Sequence, residues 1–297
     1  ACESYCLSLP ASGARMPRMD DQLRATEAIH ARLRLMCEDR PRIDVAEAAL
    51  LFSAARRELA DFDSYRGLLA LLVDNARTRA RRASAREALC GAVSEDFGFS
   101  GDSATYDDLQ NADFARVLER RKGLPVALGI VYIHVARALG EDAAGLNFPG
   151  HFLVRVGQGR ERSIIDPFHA GRVCEAAQLR ELLRGVRGDD AELASEHIQE
   201  VSDAEVLLRL QNNVKLRLLN RNDTDGAIDA LETMLAIAPR RAELWFEAGV
   251  LAAQAERPTA AIAALEHFMA LADGNAAADD ARYGAAALLQ KLRQRLN

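Results

Sequence analysis

His151 and Asp166 flank a short segment that has the pattern of a β-hairpin, HFLVRVGQGRERSIID. A two-residue turn at Gln158-Gly159 would place the two side chains opposite each other on one face. The carboxylate could then accept a hydrogen bond from the imidazole and fix its tautomer. We therefore predict a direct hydrogen bond between His151 and Asp166, with an N–O distance of about 2.7–3.2 Å. A register slip of one residue would put them on opposite faces.

A histidine oriented by an aspartate is the base half of a nucleophilic triad, whose third member is a thiol or a hydroxyl. That group is expected at a helix N-terminus, where the helix dipole lowers the pKa of a thiol. The helix before the hairpin starts with KGLPVA, residues 122–127, which contains no Cys, Ser or Thr. Cys90 and Cys174 lie elsewhere, and each is either a displaced nucleophile or an ordinary buried thiol.

A metal site is a competing interpretation of the same segment. His169 and Asp166 lie near Cys174 in the chain, and all three side-chain types bind transition metals. Three ligands from one loop without a fourth form a weak pattern, so the sequence predicts no metal and no cofactor.

Four more residues are candidates for binding a ligand in a cleft near His151. Asn147 and Gly150 precede the histidine in NFPGH. Asn111 and Tyr106 precede the central helix. A Pro-Gly turn would explain the first pair equally well, and a polar loop would explain the second.

The elements that must position these residues are mostly helical. Apolar residues recur at helical spacing in 20–97, where Asp44 and Ser64 are predicted helix N-caps. A central helix is predicted over 125–139, with Pro125 in its first turn, where a missing N–H costs nothing. The segments AAGLNF, HFLVRV and RSIID are predicted strands.

The last third of the chain contains an internal repeat with an offset of 34 residues. Ala227 aligns with Ala261 and Leu231 with Leu265, while Trp245, Gly249 and Ala261 have the spacing of tetratricopeptide (TPR) signature positions. We predict antiparallel helical hairpins over about 204–296, with Trp245 buried between them and the hairpins stacked on the middle of the chain. Ordinary alanine-rich helices are the alternative.

Composition excludes several classes of protein. With 297 residues and 49% hydrophobic content, the chain can form more than one core. The five cysteines are odd in number and have no CxxC spacing, which argues against disulfides and zinc and favours a reducing, cytoplasmic location. The start of the chain lacks the pattern of a secretory signal, and no apolar run reaches membrane-spanning length.

The charge pattern does not favour nucleic acid as a partner. The net charge is -6, and the one basic run contains no aromatic residue that could stack on bases. The run consists of Arg77, Arg79, Arg81, Arg82 and Arg86.

Three motifs occur together and in order: RKGLP, GLNFPGHFLVRV and IIDPF. In this combination the chain resembles the bacterial SirB family of transglutaminase-like proteins with C-terminal TPR repeats. The resemblance implies a papain-related core in which a Cys at the start of the central helix, a His and an Asp form the triad. His151 and Asp166 match two of these positions, but Pro125 stands at the position of the Cys.

The predicted fold is α+β and mostly α, with a helical N-terminal layer, a papain/transglutaminase-like core with a small antiparallel sheet, and C-terminal TPR-type hairpins. The predicted divisions are a flexible leader (1–19), a transglutaminase-like domain (20–200, with its helical layer at 20–97 and its core at 98–185) and helical repeats (201–297).

Two functions stay open at this stage. The first is a catalytically degenerate regulatory or scaffold module that binds a protein or peptide partner through the repeats or the cleft. The second is a hydrolase or acyl-transfer enzyme that uses the His151–Asp166 pair with an unidentified nucleophile. Neither requires a membrane, and the sequence leaves the oligomeric state open.

Overall fold

The computed structural model describes residues 19–38, 40, 42–57, 62–273 and 278–296, which form helical layers around a small antiparallel sheet. The mostly helical α+β fold is therefore confirmed. The predicted leader lies outside the described residues except for Met19, which begins the first helix. No helix in the described ranges is long and apolar enough to cross a membrane.

The N-terminal layer consists of four helices, the last of which continues into a π-helical turn over 91–96. Asp44 caps the second helix, as predicted, by accepting a hydrogen bond from the backbone N–H of Glu47 at 3.1 Å. The third helix begins at Phe62, so the predicted cap Ser64 lies inside its first turn instead. The helices are α1 (Met19–Cys37), α2 (Val45–Arg56), α3 (Phe62–Ala80) and α4 (Ala85–Cys90).

The middle of the chain adds three helices: α5 (Phe114–Arg120), α6 (Pro125–Ala138) and α7 (Ala176–Arg187). Helix α6 is buried on nearly all sides, as its continuous apolar sequence requires. It begins at Pro125, as predicted. A Cβ at Gly129 would lie 2.4 Å from the Phe152 ring, so this glycine lets α6 lie close to the chain that enters the sheet.

The sheet has five antiparallel strands in the order β6-β5-β4-β3-β7. Three of them match the predicted strands: β3 (Ala143–Leu146), β4 (Leu153–Val156) and β5 (Ser163–Asp166). The edges are β6 (Arg172–Val173) and β7 (Glu200–Val201), and a separate parallel pair joins β1 (Ser100–Gly101) to β2 (Lys122–Gly123).

The register of the β4–β5 hairpin differs from the predicted one by two residues. Val154 pairs with Ile165 and Val156 with Ser163, so the connection spans 157–162 and contains a short 3-10 helix over 159–161. Gly157 has φ +78°, which turns the chain before the predicted Gln158-Gly159 turn is reached. An even shift keeps every side chain on its predicted face.

The C-terminal part forms antiparallel hairpins from five helices, and the aligned residues Ala227, Leu231, Ala261 and Leu265 are all fully buried. A Cβ at Gly249 would lie 2.5 Å from the Leu265 side chain, which explains the small residue at this signature position. The helices are α8 (Asp203–Asn220), α9 (Thr224–Ile237), α10 (Ala242–Gln254), α11 (Pro258–Leu271) and α12 (Asp279–Leu296).

Trp245 is only half-buried, which corrects the prediction that it is enclosed between hairpins. Its ring stacks on His267 of α11 with the centroids 4.4 Å apart, and its Nε1 donates to the Pro239 carbonyl at 2.8 Å. The indole therefore covers the junction of α10 and α11 from the side, while Leu265 fills the interior.

We expect Trp245→Ala to lower the free energy of unfolding by about 1.5–2.5 kcal/mol, roughly half the cost of truncating a fully buried tryptophan. The loss combines reduced burial with the stacking on His267. Urea unfolding followed by circular dichroism measures it. Tyr283→Ala is the matched control, because this aromatic is 82% exposed and should change stability by less than about 0.5 kcal/mol. A Trp245→Ala loss as small as the control's would show that the stacking has no role in stability.

The repeats and the middle of the chain share one hydrophobic core. Leu207 of α8 and Leu231 of α9 belong to the same buried cluster as Leu50 of α2 and Val131 of α6. A smaller separate cluster lies among α10, α11 and α12. The predicted stacking of the hairpins on the middle of the chain is therefore observed.

Candidate functional site

His151 lies in a bend two residues before β4, and Asp166 is the last residue of β5. The bend follows Gly150, whose φ of +67° suits glycine, and the N–H of His151 donates to the Phe148 carbonyl at 3.1 Å. The His151 Nε2 and the Asp166 Oδ1 lie 2.9 Å apart, so the predicted hydrogen bond is confirmed. If the observed β4–β5 pairing continued to His151, this residue and Asp166 would be diagonal neighbours rather than directly opposite. Long side chains can still make contact across a diagonal pair.

Asp166 is fully buried and its carboxylate accepts four hydrogen bonds. Two of them come from imidazoles, because His169 Nδ1 lies 2.7 Å from Oδ2 in addition to the contact of His151 with Oδ1. The other two come from the backbone N–H groups of Phe168 and His169, which donate to Oδ1. Burial raises the pKa of Asp166, but the hydrogen bonds and charges of His151 and His169 outweigh this, and the pKa is below its ordinary value.

The ionised carboxylate can only accept, so Nε2 of His151 must carry a proton. Nδ1 is then the basic nitrogen of the neutral ring. The pair is thus able to take up a proton at His151 Nδ1 while Asp166 stabilises the resulting imidazolium.

Three side chains in this site offer metal-ligating atoms that all lie within 4.8 Å of one another: His151, Asp166 and His169. His151 takes the place that the sequence interpretation gave to Cys174, whose Sγ instead lies 3.8 Å from the Arg172 carbonyl. Both Asp166 oxygens accept a hydrogen bond from an imidazole, so a metal ion bound between the carboxylate and the two nitrogens that face it would displace both hydrogen bonds.

Tyr106 is linked to the His151–Asp166 pair by aromatic contacts through Phe168. Its ring, 43% exposed, meets Phe168 edge-on with the centroids 5.9 Å apart, and Phe168 meets the His151 ring at 6.3 Å. Arg217 of α8 donates to the Tyr106 carbonyl at 3.1 Å, so the repeats hold the loop that carries this tyrosine.

Asn111 is fully buried and supports that loop from below. Its Nδ2 donates to the Thr105 carbonyl at 2.6 Å, and its Oδ1 accepts from Arg120 at 2.8 Å. Arg120 also donates to the buried Asp102. The structure therefore places Asn111 in the support of the loop and out of reach of a ligand.

Asn147 and Gly150 line an open cavity of about 340 Å³ beside the His151 bend. Arg209 of α8 connects the cavity wall to the His151 bend, because its guanidinium donates to Asn147 Oδ1 and to the His151 carbonyl. The sequence interpretation missed this residue. The other lining residues are Phe148, Pro149, Arg187, Glu196 and His197. We name this space the NFPG cavity after residues 147–150.

Pro125 is buried at the first position of α6, where the resemblance expects a nucleophilic cysteine. Burial raises the pKa of each thiol in the described ranges to about 11. These thiols are Cys37, Cys90 and Cys174, and the Cys90 thiol donates to the Gly171 carbonyl at 3.3 Å. A protonated, hydrogen-bonded thiol is a poor nucleophile at neutral pH.

Comparison with known proteins identifies two regions. The transglutaminase-like superfamily matches residues 63–212, and the tetratricopeptide repeat matches 214–293. A UPF0162 protein of Xylella fastidiosa is 32% identical over 206 residues, which is 66% of this chain and 73% of that protein. Human F-box only protein 21 is 39% identical over 70 residues, 24% of this chain and 11% of that protein. Among solved structures, menin aligns over 84% of this chain and 70% of its own at a TM-score of 0.41 and 9% identity, which is too low to support an inference.

Proposed function

This chain belongs to the transglutaminase-like superfamily and to the bacterial UPF0162 proteins, and we propose that it is a catalytically degenerate member that binds a protein or peptide partner. We also assign it to the SirB family, on the motifs RKGLP, NFPGHF and IDPF. In this proposal the triad has lost its nucleophile, and the remaining His151–Asp166 pair holds a binding surface in place.

The single observation that carries the proposal is Pro125 at the first position of α6. A cysteine there would supply a thiol activated by the helix dipole, together with a backbone N–H that can stabilise an oxyanion. Proline supplies neither, because it has no N–H and no nucleophilic side chain. Both chemical contributions of that position to acyl transfer are therefore missing.

The repeats support the binding part of the proposal. TPR hairpins present extended surfaces to partners. Here the first repeat helix, α8, also contacts the site, through Arg209 at the His151 bend and Arg217 at the Tyr106 loop. A partner held by the repeats would therefore also meet the NFPG cavity and Tyr106.

A second candidate is a hydrolase or acyl-transfer enzyme that uses the His151–Asp166 pair with a nucleophile outside the family position. The intact hydrogen bond at 2.9 Å is the observation that favours it, because a binding surface alone does not require an oriented imidazole.

The two candidates differ in thiol reactivity. We expect iodoacetamide at pH 7.5 to leave Cys90 and Cys174 unmodified in the folded protein, since thiols with a pKa of about 11 are almost entirely protonated there. Peptide mass spectrometry, with and without prior unfolding in urea, measures the modification at each cysteine.

The matched control is His151→Ala, which should leave this labelling pattern unchanged. Rapid, stoichiometric labelling of Cys90 or Cys174 in the folded protein, abolished by His151→Ala, would favour the enzyme and overturn the proposal.

We further propose that the protein works in the cytoplasm, without nucleic acid or a cofactor. The free thiols of Cys37, Cys90 and Cys174 support a reducing compartment. Two of the five arginines of the basic run are paired with acidic neighbours, Arg77 with Asp74 and Arg79 with Glu95 and Asp96, which leaves less positive charge for a polyanion.

A further inference from the structure

We propose that the NFPG cavity recognises a carboxylate group of the peptide partner, an inference that rests on the proposed binding function. The cavity combines two arginines that have no carboxylate partner among the described residues with an imidazole donor that lacks a close acceptor. Its volume of about 340 Å³ suits one side chain or one chain terminus rather than a folded segment.

Arg209 is a half-buried cation whose contacts are neutral. Its guanidinium donates to the Asn147 side chain and the His151 carbonyl, and lies over the Phe152 ring at 5.5 Å. Burial lowers its pKa, which expresses the cost of keeping this charge without an anion. Arginine binds carboxylates in a planar, two-pronged geometry, so an anion in the cavity would relieve that cost.

Arg187 and His197 place two hydrogen-bond donors next to each other in the cavity wall. The N–H of Ala194 donates to His197 Nδ1 at 3.1 Å, so the proton of the neutral ring is on Nε2. The Nη1 of Arg187 lies only 3.2 Å from that Nε2, and two donors at this distance need a shared acceptor. A carboxylate oxygen from a ligand would satisfy both.

Glu196 is the nearest carboxylate of the described chain, with its Oε1 3.7 Å from His197 Nε2 and its side chain 72% exposed. This distance is too long for a hydrogen bond, so Glu196 fills the acceptor's role incompletely. Counting Arg187, Arg209 and Glu196, the cavity carries one excess positive charge. It therefore matches one carboxylate, and Glu196 competes with it.

The probes are three pentapeptides and inorganic phosphate. One peptide is Ala-Ala-Glu-Ala-Ala with both ends blocked, the second has Gln in place of Glu, and the third is penta-alanine with a free C-terminal carboxylate. Nuclear magnetic resonance titration follows the backbone amides of Asn147, Gly150 and His197. We expect the Glu peptide or the free terminus to bind at least about tenfold more tightly than the Gln peptide.

Two variants change the cavity in opposite directions. Arg187→Gln removes an exposed rim charge and should weaken carboxylate binding about tenfold, while Glu196→Gln should strengthen it a few-fold because the internal competitor is gone. Arg184→Gln is the matched control, because this exposed arginine lies on the same helix but does not line the cavity. Its binding should equal that of the unchanged protein.

The outcomes separate the possible ligands. Tighter binding of the Glu peptide assigns a side chain, and tighter binding of the free-ended peptide assigns a C-terminus. Equal binding of the Glu and Gln peptides, shifts confined to other surfaces, or a preference for phosphate over both carboxylates would overturn the inference. None of these results bears on thiol reactivity, so the inference and the proposed function fail in different experiments.

Discussion

Asp203→Ala is expected to lower the free energy of unfolding by about 3–5 kcal/mol. The buried Asp203 carboxylate accepts hydrogen bonds from both terminal nitrogens of Arg137, at 2.7 and 2.8 Å. It also accepts one from the backbone N–H of Ile43 at 2.8 Å. It therefore joins the segment before α2, the end of α6 and the start of α8. Truncation leaves the buried N–H of Ile43 without its acceptor and removes the anionic partner of the half-buried Arg137 guanidinium, which keeps its hydrogen bonds to the Ala143 carbonyl.

Urea unfolding tests this prediction with two signals, far-ultraviolet circular dichroism and the fluorescence of Trp245, the single tryptophan. Asp225→Ala is the control, because Asp225 is an exposed carboxylate paired with Arg257 on the surface and should cost less than about 1 kcal/mol. An Asp203→Ala loss no larger than the control's would show that this contact does not join the layers.

Asp166→Ala should lower the free energy of unfolding by a similar amount, about 3–5 kcal/mol. The loss has a different source, because here one carboxylate satisfies two imidazoles and two backbone N–H groups. Asp166→Asn should cost less, since the amide oxygen still accepts, but its NH₂ group would face one of the two histidines.

The stabilising effect of Asp166 should depend on pH. Because its folded pKa is lowered, the contribution is present above the unfolded pKa of about 3.9 and is lost as the pH falls through the folded value. Urea midpoints measured between pH 3 and pH 7 should therefore converge for the unchanged protein and Asp166→Asn at the acid end.

Asp107→Ala is the control for both Asp166 experiments, since Asp107 is 95% exposed and 3.7 Å from Arg217. Its stability should follow that of the unchanged protein at every pH. A constant difference between Asp166→Asn and the unchanged protein down to pH 3 would mean that the carboxylate's charge contributes nothing.

The sequence predicted the central helix and the His151–Asp166 contact because both depend on local patterns. Pro125 starts a continuous apolar run, and the alternation of the hairpin strands sets which side chains share a face. The register was wrong by two residues because the left-handed conformation of Gly157 lengthens the connection. The face was still right, since a shift by two preserves the alternation.

The rest of the site was invisible in the sequence because its residues come from distant elements. Arg209 reaches the His151 bend from a helix that starts more than 50 residues later, and only the packing of α8 on the sheet brings it there. His169 was correctly grouped with Asp166, but the third member of the group was taken to be Cys174 instead of His151, because closeness along the chain does not show which way a loop turns back. The half-exposed position of Trp245 likewise depends on how α10 meets α11.

The first described helix has a consequence for synthesis on the ribosome. Leu33 of α1 is part of the shared core, and the His30 imidazole lies 3.2 Å from the Thr233 hydroxyl, 203 residues further along the chain. At about 5–20 residues per second, α9 emerges roughly 10–40 s after α1. During that interval the apolar side of α1 that will pack on α9 lacks this partner, so chaperones that bind exposed apolar segments should meet the nascent chain there. The packing of α1 is therefore completed only after the second repeat helix has been translated.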